Sequence, residues 1–120
     1  MPDLKNPLSA QFTKAIAFAA NIHRLQARKG TQVPYIAHIL GVATIALEHG
    51  ANEDEAIAAV LHDSIEDAPK RLGAAGVRGA IEERFGPKVL KIVEGCTDTD
   101  VQPKPPWRLR KGTVRFQNRA

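Results

Sequence analysis

Apolar residues recur at helical spacing along most of the chain, and this pattern predicts five helices. In the first, Phe12, Ala15, Ile16, Ala19 and Ile22 follow i, i+3, i+4 steps on one face. The predicted helices span residues 9–28, 34–49, 52–67, 76–85 and 87–97. No segment shows a sustained period of two. The sequence therefore predicts an all-α domain, a bundle of about five helices.

Local signals mark where several of these helices begin and end. Ser9 is a suitable N-cap for the first helix, and Asn52 with Glu55 has the spacing of a capping box. Gly50 follows the second helix at the position where glycine commonly ends one. Gly86 separates the fourth helix from a fifth that begins with proline.

Length and cysteine content limit the number of domains and the kinds of cross-link that the chain can contain. A chain of 120 residues suits one domain, which we place at residues 1–100. Its single cysteine, Cys96, excludes an internal disulfide framework and a multi-cysteine zinc site. No apolar run approaches a membrane span, and the N-terminus lacks a signal-peptide pattern, so we expect no membrane association and a cytoplasmic location.

The remaining residues, 101–120, differ in charge and regularity. They hold six of the 17 basic residues and no acidic one, which leaves 11 basic and 13 acidic residues in residues 1–100. Pro103, Pro105 and Pro106 prevent regular structure nearby, so we predict a basic, irregular tail. Such a tail can bind nucleic acid, but a short charge run is more often solvated, and nucleic-acid binding is the less favoured interpretation.

Candidate chemistry lies on the second and third predicted helices. His62 and Asp63 are adjacent inside an apolar stripe, where an unpaired acid is costly. Glu66 and Asp67 follow one turn later, and His38 lies on the preceding helix, which an antiparallel pairing could bring beside His62. A shared divalent cation such as Mn²⁺, Fe²⁺ or Zn²⁺ would explain the group. The alternative is a core histidine and an internally hydrogen-bonded pair.

Four stretches of the chain resemble the HD-domain metal-dependent phosphohydrolases. Within them, the resemblance is to the hydrolase domain of the RelA/SpoT group, including its small stand-alone members such as the metazoan SpoT homologue. The stretches are AANIHRLQARK at residues 19–29, PYIAH at 34–38, LHDSIED at 61–67 and VEGCTD at 93–98. Their order and spacing cover about residues 10–100. The resemblance implies an HD-domain helical bundle and a hydrolase that acts on a guanosine nucleotide.

The resemblance also implies a role for each candidate residue. His38, His62 and Asp63 would be metal ligands, usually for manganese, although other divalent metals are possible. Glu66 and Asp67 would orient or deprotonate the attacking water. The usual substrate, ppGpp or pppGpp, is cleaved at the 3′ position to give GDP or GTP and pyrophosphate.

Two basic residues complete the set of implied roles. Arg28 and Lys29 would hold the nucleotide and its phosphates, as a planar fork and a point charge. The alternative is that both merely complement the C-terminal dipole of the first helix. His23, in contrast, has no metal role in this resemblance and is expected to be structural.

One element of the family pattern is absent. The family completes its metal site with an aspartate in a motif similar to Leu-Ala-Asp-Lys-Leu-x-Asn on a later helix, whereas this sequence has no aspartate after Asp100. We therefore expect a bundle incomplete at its C-terminus, impaired hydrolysis and a homo-oligomer that covers the exposed apolar faces. The alternative is a catalytically inactive HD-fold remnant that binds a nucleotide or a partner.

Overall fold

The computed structural model describes residues 4–97, and helices account for most of this range. They are α1 (Ala10–Ile22), α2 (Ile36–Glu48), α3 (Glu53–Leu61), α4 (Gly73–Phe85) and α5 (Pro87–Thr97). Within residues 4–97 the only β pairing is an isolated antiparallel bridge between Ala27 and Pro34. The predicted all-α class with five helices is confirmed, and the predicted irregular tail lies outside the described residues.

The predicted capping signals act as expected. The Ser9 hydroxyl accepts a hydrogen bond from the Gln11 backbone N–H at 3.1 Å. Asn52 and Glu55 form the full capping box, in which each side chain accepts from the other's backbone N–H at 2.9 Å. Gly50 adopts a φ of 84°, a conformation that costs glycine little and follows directly after α2.

Helix α3 is the centre of the bundle. Its six residues from Ala56 to Leu61 are all buried, because α3 packs against α1, α2 and α5, and α4 covers α5. A helix surrounded on several sides is apolar on more than one face. By contrast, Leu40 of α2 lies on the outer face of the bundle, where its side chain is 43% exposed.

The first helix is shorter than predicted. It ends at Ile22 instead of residue 28, and the chain then forms a loop up to Tyr35. In this loop the backbone N–H of Arg28 bonds to the Val33 carbonyl at 2.9 Å, and that of Tyr35 bonds to the Gln26 carbonyl at 2.8 Å. These pairings across the loop replace the helical ones, so tertiary structure overrides helix propensity here.

The third helix is also shorter than predicted. It ends at Leu61 instead of Asp67, and residues 62–67 form consecutive turns. The Ser64 N–H bonds to the carbonyl of Leu61 at 2.9 Å, an i→i−3 pairing that tightens the chain after the helix. The candidate residues His62, Asp63, Glu66 and Asp67 therefore lie beyond α3 and not on its surface.

Smaller differences concern the remaining ends. Helix α4 begins at Gly73, three residues before the predicted start, and α2 begins at Ile36, two residues after it. Among the described residues, no helix has both the length and the apolar character needed to cross a membrane.

Candidate active site

The candidate site forms where α2 begins and α3 ends. His38 lies in the first turn of α2, His62 is the residue that caps the C-terminal end of α3, and Asp63 follows it. Only a short connection, residues 49–52, joins the two helices. The start of α2 and the end of α3 therefore meet, as the predicted antiparallel pairing requires.

The three side chains converge on a small volume. Each of His38, His62 and Asp63 offers one ligand atom, and these atoms all lie within 4.8 Å of one another. Asp63 Oδ2 is 3.1 Å from His62 Nε2 and 3.6 Å from His38 Nε2. The side chains are only 11–18% exposed. The pairing of α2 and α3 thus brings His38 beside His62 and Asp63.

His62 is oriented by the helix that precedes it. Its Nδ1 lies 2.7 Å from the backbone carbonyl of Ala59, an acceptor, so Nδ1 carries the proton. In the neutral imidazole, Nε2 is then the unprotonated nitrogen and can bind a cation placed between it and Asp63. Metal-binding histidines are commonly fixed in this way by a carbonyl on the opposite ring nitrogen.

Tyr35 is a member of the site that sequence reasoning did not assign. Its hydroxyl donates a 2.5 Å hydrogen bond to Asp63 Oδ2, and its ring packs 5.2 Å from that of His38. The only sequence signal was its position in the PYIAH stretch, three residues before His38. This hydrogen bond orients the Asp63 carboxylate within the site.

Charge coupling sets the protonation of the cluster. Burial alone would raise the pKa of Asp63, but contacts with His38 and His62 outweigh it and hold that pKa well below its usual range. Burial would lower the pKa of His62, yet the Asp63 carboxylate raises it above its ordinary value. Burial and the hydrogen bond to Asp63 raise the pKa of Tyr35. At neutral pH Asp63 is therefore charged and Tyr35 is protonated.

The donor set suits a divalent transition metal. Two ligand atoms that each lie about 2.0–2.2 Å from one ion, at tetrahedral or octahedral angles, are roughly 3–3.6 Å apart. The separations from Asp63 Oδ2 to the two imidazole nitrogens fall in this range. Two imidazoles and one carboxylate fit Mn²⁺, Fe²⁺ or Zn²⁺ better than Ca²⁺ or Mg²⁺, which favour oxygen ligands alone.

Two further carboxylates flank the cluster. Glu66 is exposed and close enough to His62 that its charge favours the imidazolium form. Asp67 is half-buried, and its Oδ2 accepts a 3.3 Å hydrogen bond from the Gln26 amide. Neither belongs to the metal-type cluster found among the described residues.

The predicted phosphate-binding pair lies in the loop after α1. Arg28 is half-buried at the base of a turn in which Thr31 N–H bonds to the Arg28 carbonyl at 2.9 Å. The positive charge of Arg28 acts to lower the pKa of Tyr35, although burial and Asp63 outweigh this effect. Lys29 is exposed. Because α1 ends at Ile22, neither residue caps that helix, and this alternative is wrong.

Comparisons with known proteins identify the family of the chain. The HD domain family profile matches residues 15–115. A protein of Aquifex aeolicus named guanosine-3′,5′-bis(diphosphate) 3′-pyrophosphohydrolase is 41% identical over 87 residues, 72% of this chain and 12% of that protein. A Xenopus tropicalis protein of the same enzyme name is 40% identical over 99 residues, 80% of this chain and 52% of that protein.

A solved structure also matches the fold of the chain. It is that of a metazoan orthologue of SpoT described as hydrolysing ppGpp, and it superposes with a TM-score of 0.66 at 34% identity, covering 79% of this chain and 51% of that one. The chain thus spans about half the length of the animal relatives it matches. The family profile covers most of the chain and the solved structure has the same helical fold, so the chain belongs to the HD domain family.

Proposed function

We propose that the chain is a metal-dependent phosphohydrolase that removes pyrophosphate from the 3′ position of guanosine 3′,5′-bis(diphosphate). The observation that carries this proposal is the convergence of His38, His62 and Asp63 at the meeting point of α2 and α3. The enzyme names of relatives about 40% identical to the chain support the choice of substrate.

The metal that we propose is manganese, with other divalent ions as alternatives. His38, His62 and Asp63 would hold it, and Tyr35 and the Ala59 carbonyl would keep two of these ligands in position. When bound, a divalent ion lowers the pKa of a coordinated water and offsets negative charge on the phosphoryl group.

Glu66 and Asp67 supply the proton acceptor. We assign them to orienting the attacking water and taking its proton, since a carboxylate close to the nucleophile can act as general base. Asp67 is the better fixed of the two, because Gln26 holds one of its oxygens, whereas Glu66 is exposed at the edge of the site.

Arg28 and Lys29 bind the substrate in this proposal. The turn from Arg28 to Val33 is closed by a backbone hydrogen bond at 2.9 Å, which fixes the backbone from which the Arg28 side chain starts. A guanidinium can pair with a phosphate through two N–H groups or stack on a base, and an ammonium adds a mobile positive charge.

The reaction is a hydrolysis and needs no oxidant or second substrate. The water oxygen bonds to the phosphorus attached to the 3′ oxygen, and the bond between that phosphorus and the 3′ oxygen breaks. One water proton goes to the carboxylate, and the 3′ oxygen leaves as the hydroxyl of GDP after taking up a proton. The other product is pyrophosphate.

The test is to treat the protein with EDTA, dialyse it and measure pyrophosphate release from ppGpp with and without Mn²⁺. We expect release that depends on Mn²⁺ and that is lost in the His62→Gln variant. His49→Gln is the matched control, because His49 lies at the far end of α2 from His38. Absence of release from the wild-type protein would contradict the proposal and favour a binding remnant. Equal release from His62→Gln would instead contradict the assignment of His62 to the metal site.

A further inference from the structure

A line of hydrogen bonds runs from a buried histidine to one of the flanking carboxylates. His23, the residue that caps the C-terminal end of α1, is 1% exposed, and its Nδ1 lies 2.8 Å from Gln26 Oε1. The Gln26 amide nitrogen lies 3.3 Å from Asp67 Oδ2, across 41 residues of sequence. Gln26 therefore connects a residue of the bundle interior to the candidate general base.

Elementary hydrogen-bond chemistry fixes the direction of this line. The Asp67 carboxylate can only accept, so the Gln26 group that faces it is the NH₂. The Gln26 carbonyl then faces His23, and it needs a donor there, so His23 carries a proton on Nδ1. The orientation of the amide follows from the chemistry of Asp67 and is the one in which both ends of Gln26 are satisfied.

Gln26 is held at its backbone as well. Its N–H bonds to the His23 carbonyl at 2.9 Å, and its own carbonyl accepts from the Tyr35 N–H at 2.8 Å. The His23 ring also packs 4.9 Å from the ring of Tyr35, whose hydroxyl holds Asp63. The same short segment thus supports both Asp63 and Asp67, one through Tyr35 and the other through Gln26.

Only one ring nitrogen of His23, Nδ1, takes part in the hydrogen bonds that lead through Gln26 to Asp67. Its Nε2 is buried and has no hydrogen-bond partner among the described residues. An unpaired buried nitrogen is tolerated as a lone pair more easily than as an N–H, which again places the proton on Nδ1. The burial of His23 therefore selects the tautomer that Gln26 requires.

We propose that Gln26, held by His23, is a positioning residue that fixes the Asp67 carboxylate for proton transfer. This inference rests on the proposed function, because it gives Asp67 the role of base. Gln26 itself touches neither water nor substrate in this assignment. Its effect is to hold one oxygen of Asp67 so that the other remains available.

The kinetic test compares Gln26→Ala with Gln32→Ala, a glutamine that is exposed in the same loop. Loss of a group that orients a catalytic residue commonly costs about 10–100-fold, so we expect Gln26→Ala to lower kcat by that factor with KM for ppGpp nearly unchanged. Gln32→Ala should keep both constants. The nearly isosteric Gln26→Glu faces Asp67 with a second carboxylate, so the acid limb of its pH–rate profile should move to higher pH.

Rescue at His23 separates positioning from general stability. The amide nitrogen of Asn can occupy the place of His Nδ1 and donate to Gln26, whereas Leu cannot. We expect His23→Asn to keep most of the wild-type kcat and His23→Leu to lose about as much as Gln26→Ala. If the wild type is active and His23→Asn and His23→Leu have the same kcat as the wild type, the positioning role is overturned. The proposed function would remain intact.

A measurement without substrate tests the same line. Nitrogen NMR of the metal-free protein should show His23 as the neutral Nδ1–H tautomer, and Asp67→Asn should shift the side-chain amide signals of Gln26. An Nε2–H tautomer, or Gln26 signals indifferent to Asp67→Asn, would overturn the inference. Absence of turnover from the wild type would instead contradict the proposed function.

Discussion

The two ends of α3 carry similar charges in opposite settings. At the N-terminal end, Glu53, Asp54 and Glu55 lie in the first turn, where the helix dipole favours negative charge. Glu55 accepts from the backbone N–H of Asn52 at 2.9 Å, and Glu53 accepts from the backbone N–H of Ser9 at 2.5 Å. Glu55 and Glu53 thus satisfy backbone groups at the starts of α3 and α1, which helix hydrogen bonds leave unpaired.

Beyond the C-terminal end, the acids have different partners. Asp63 contacts Tyr35, His38 and His62, and Asp67 contacts Gln26, all of them side chains. Negative charge is unfavourable close to the end of a helix, and Asp63 is only 18% exposed. By this comparison, the acids at the start of α3 act on stability, whereas those after its end have the side-chain partners that the proposed chemistry requires.

The largest effect should come from neutralising the carboxylates beyond the C-terminal end. We expect the double variant Glu66→Gln, Asp67→Asn to lose at least about 100-fold in hydrolysis, because no general base remains. The melting temperature should stay level or rise slightly, since negative charge near a helix C-terminus is removed. Rates of pyrophosphate release and thermal unfolding check both parts.

The matched control is the same exchange at the other end of α3. Glu53→Gln with Asp54→Asn should keep the rate and lower the stability. The division of roles would be overturned if Glu66→Gln with Asp67→Asn lowered the stability and Glu53→Gln with Asp54→Asn lowered the activity.

The next effect concerns the loop that carries Arg28. We expect Arg28→Ala to raise KM for ppGpp by about 10–100-fold, the size of one or two charged hydrogen bonds to phosphate. Arg24→Ala is the control, since Arg24 is exposed in the same segment. Steady-state kinetics measure KM for both variants. Equal KM values in Arg28→Ala and Arg24→Ala would show that Arg28 does not bind the substrate.

A smaller effect is expected from the cap at the start of α3. Asn52→Ala removes an N-cap that accepts from the Glu55 N–H, which typically costs about 1 kcal/mol of unfolding free energy. Denaturant titration should show this loss with an unchanged kcat. Loss of activity without loss of stability would show that the two ends of α3 are not independent.

The smallest effect is a pH dependence at Glu53. Hydrogen bonds from the backbone and side chain of Ser9 hold the pKa of Glu53 below its ordinary value. A lowered pKa in the folded state means that Glu53 stabilises the protein fully above its ordinary pKa and loses this contribution as pH falls through the lowered one. The stability difference between wild type and Glu53→Gln should therefore shrink as pH falls from 7 towards about 3. A constant difference would contradict the assignment.

The helices were predictable where their signals are local. The Asn52–Glu55 capping box, the Ser9 cap and the turn at Gly50 each depend on residues within a few positions of one another, and each is confirmed. The ends at Ile22 and Leu61 were not predictable in this way. The loop after α1 is held by bonds such as Tyr35 N–H to the Gln26 carbonyl, which only the folded chain brings together.

The residues of the candidate site also divide into those that the sequence could predict and those that it could not. His38, His62 and Asp63 could be predicted because adjacent metal-type ligands within an apolar pattern are unusual, and the resemblance added their roles. Tyr35 and Gln26 could not, because their partners lie 28 and 41 residues away in the sequence. Tyrosine and glutamine are also common in structural positions, so residue type alone did not single them out.

Metal binding at the end of α3 tests the central claim most directly. Calorimetric titration of Mn²⁺ into EDTA-treated protein should show one saturable site per chain. Asp63→Asn should weaken it by at least about 10–100-fold, while Asp54→Asn, at the other end of α3, should leave it unchanged. Absence of saturable binding by the wild type, or equal binding by Asp63→Asn, would contradict the assignment of His38, His62 and Asp63 as metal ligands.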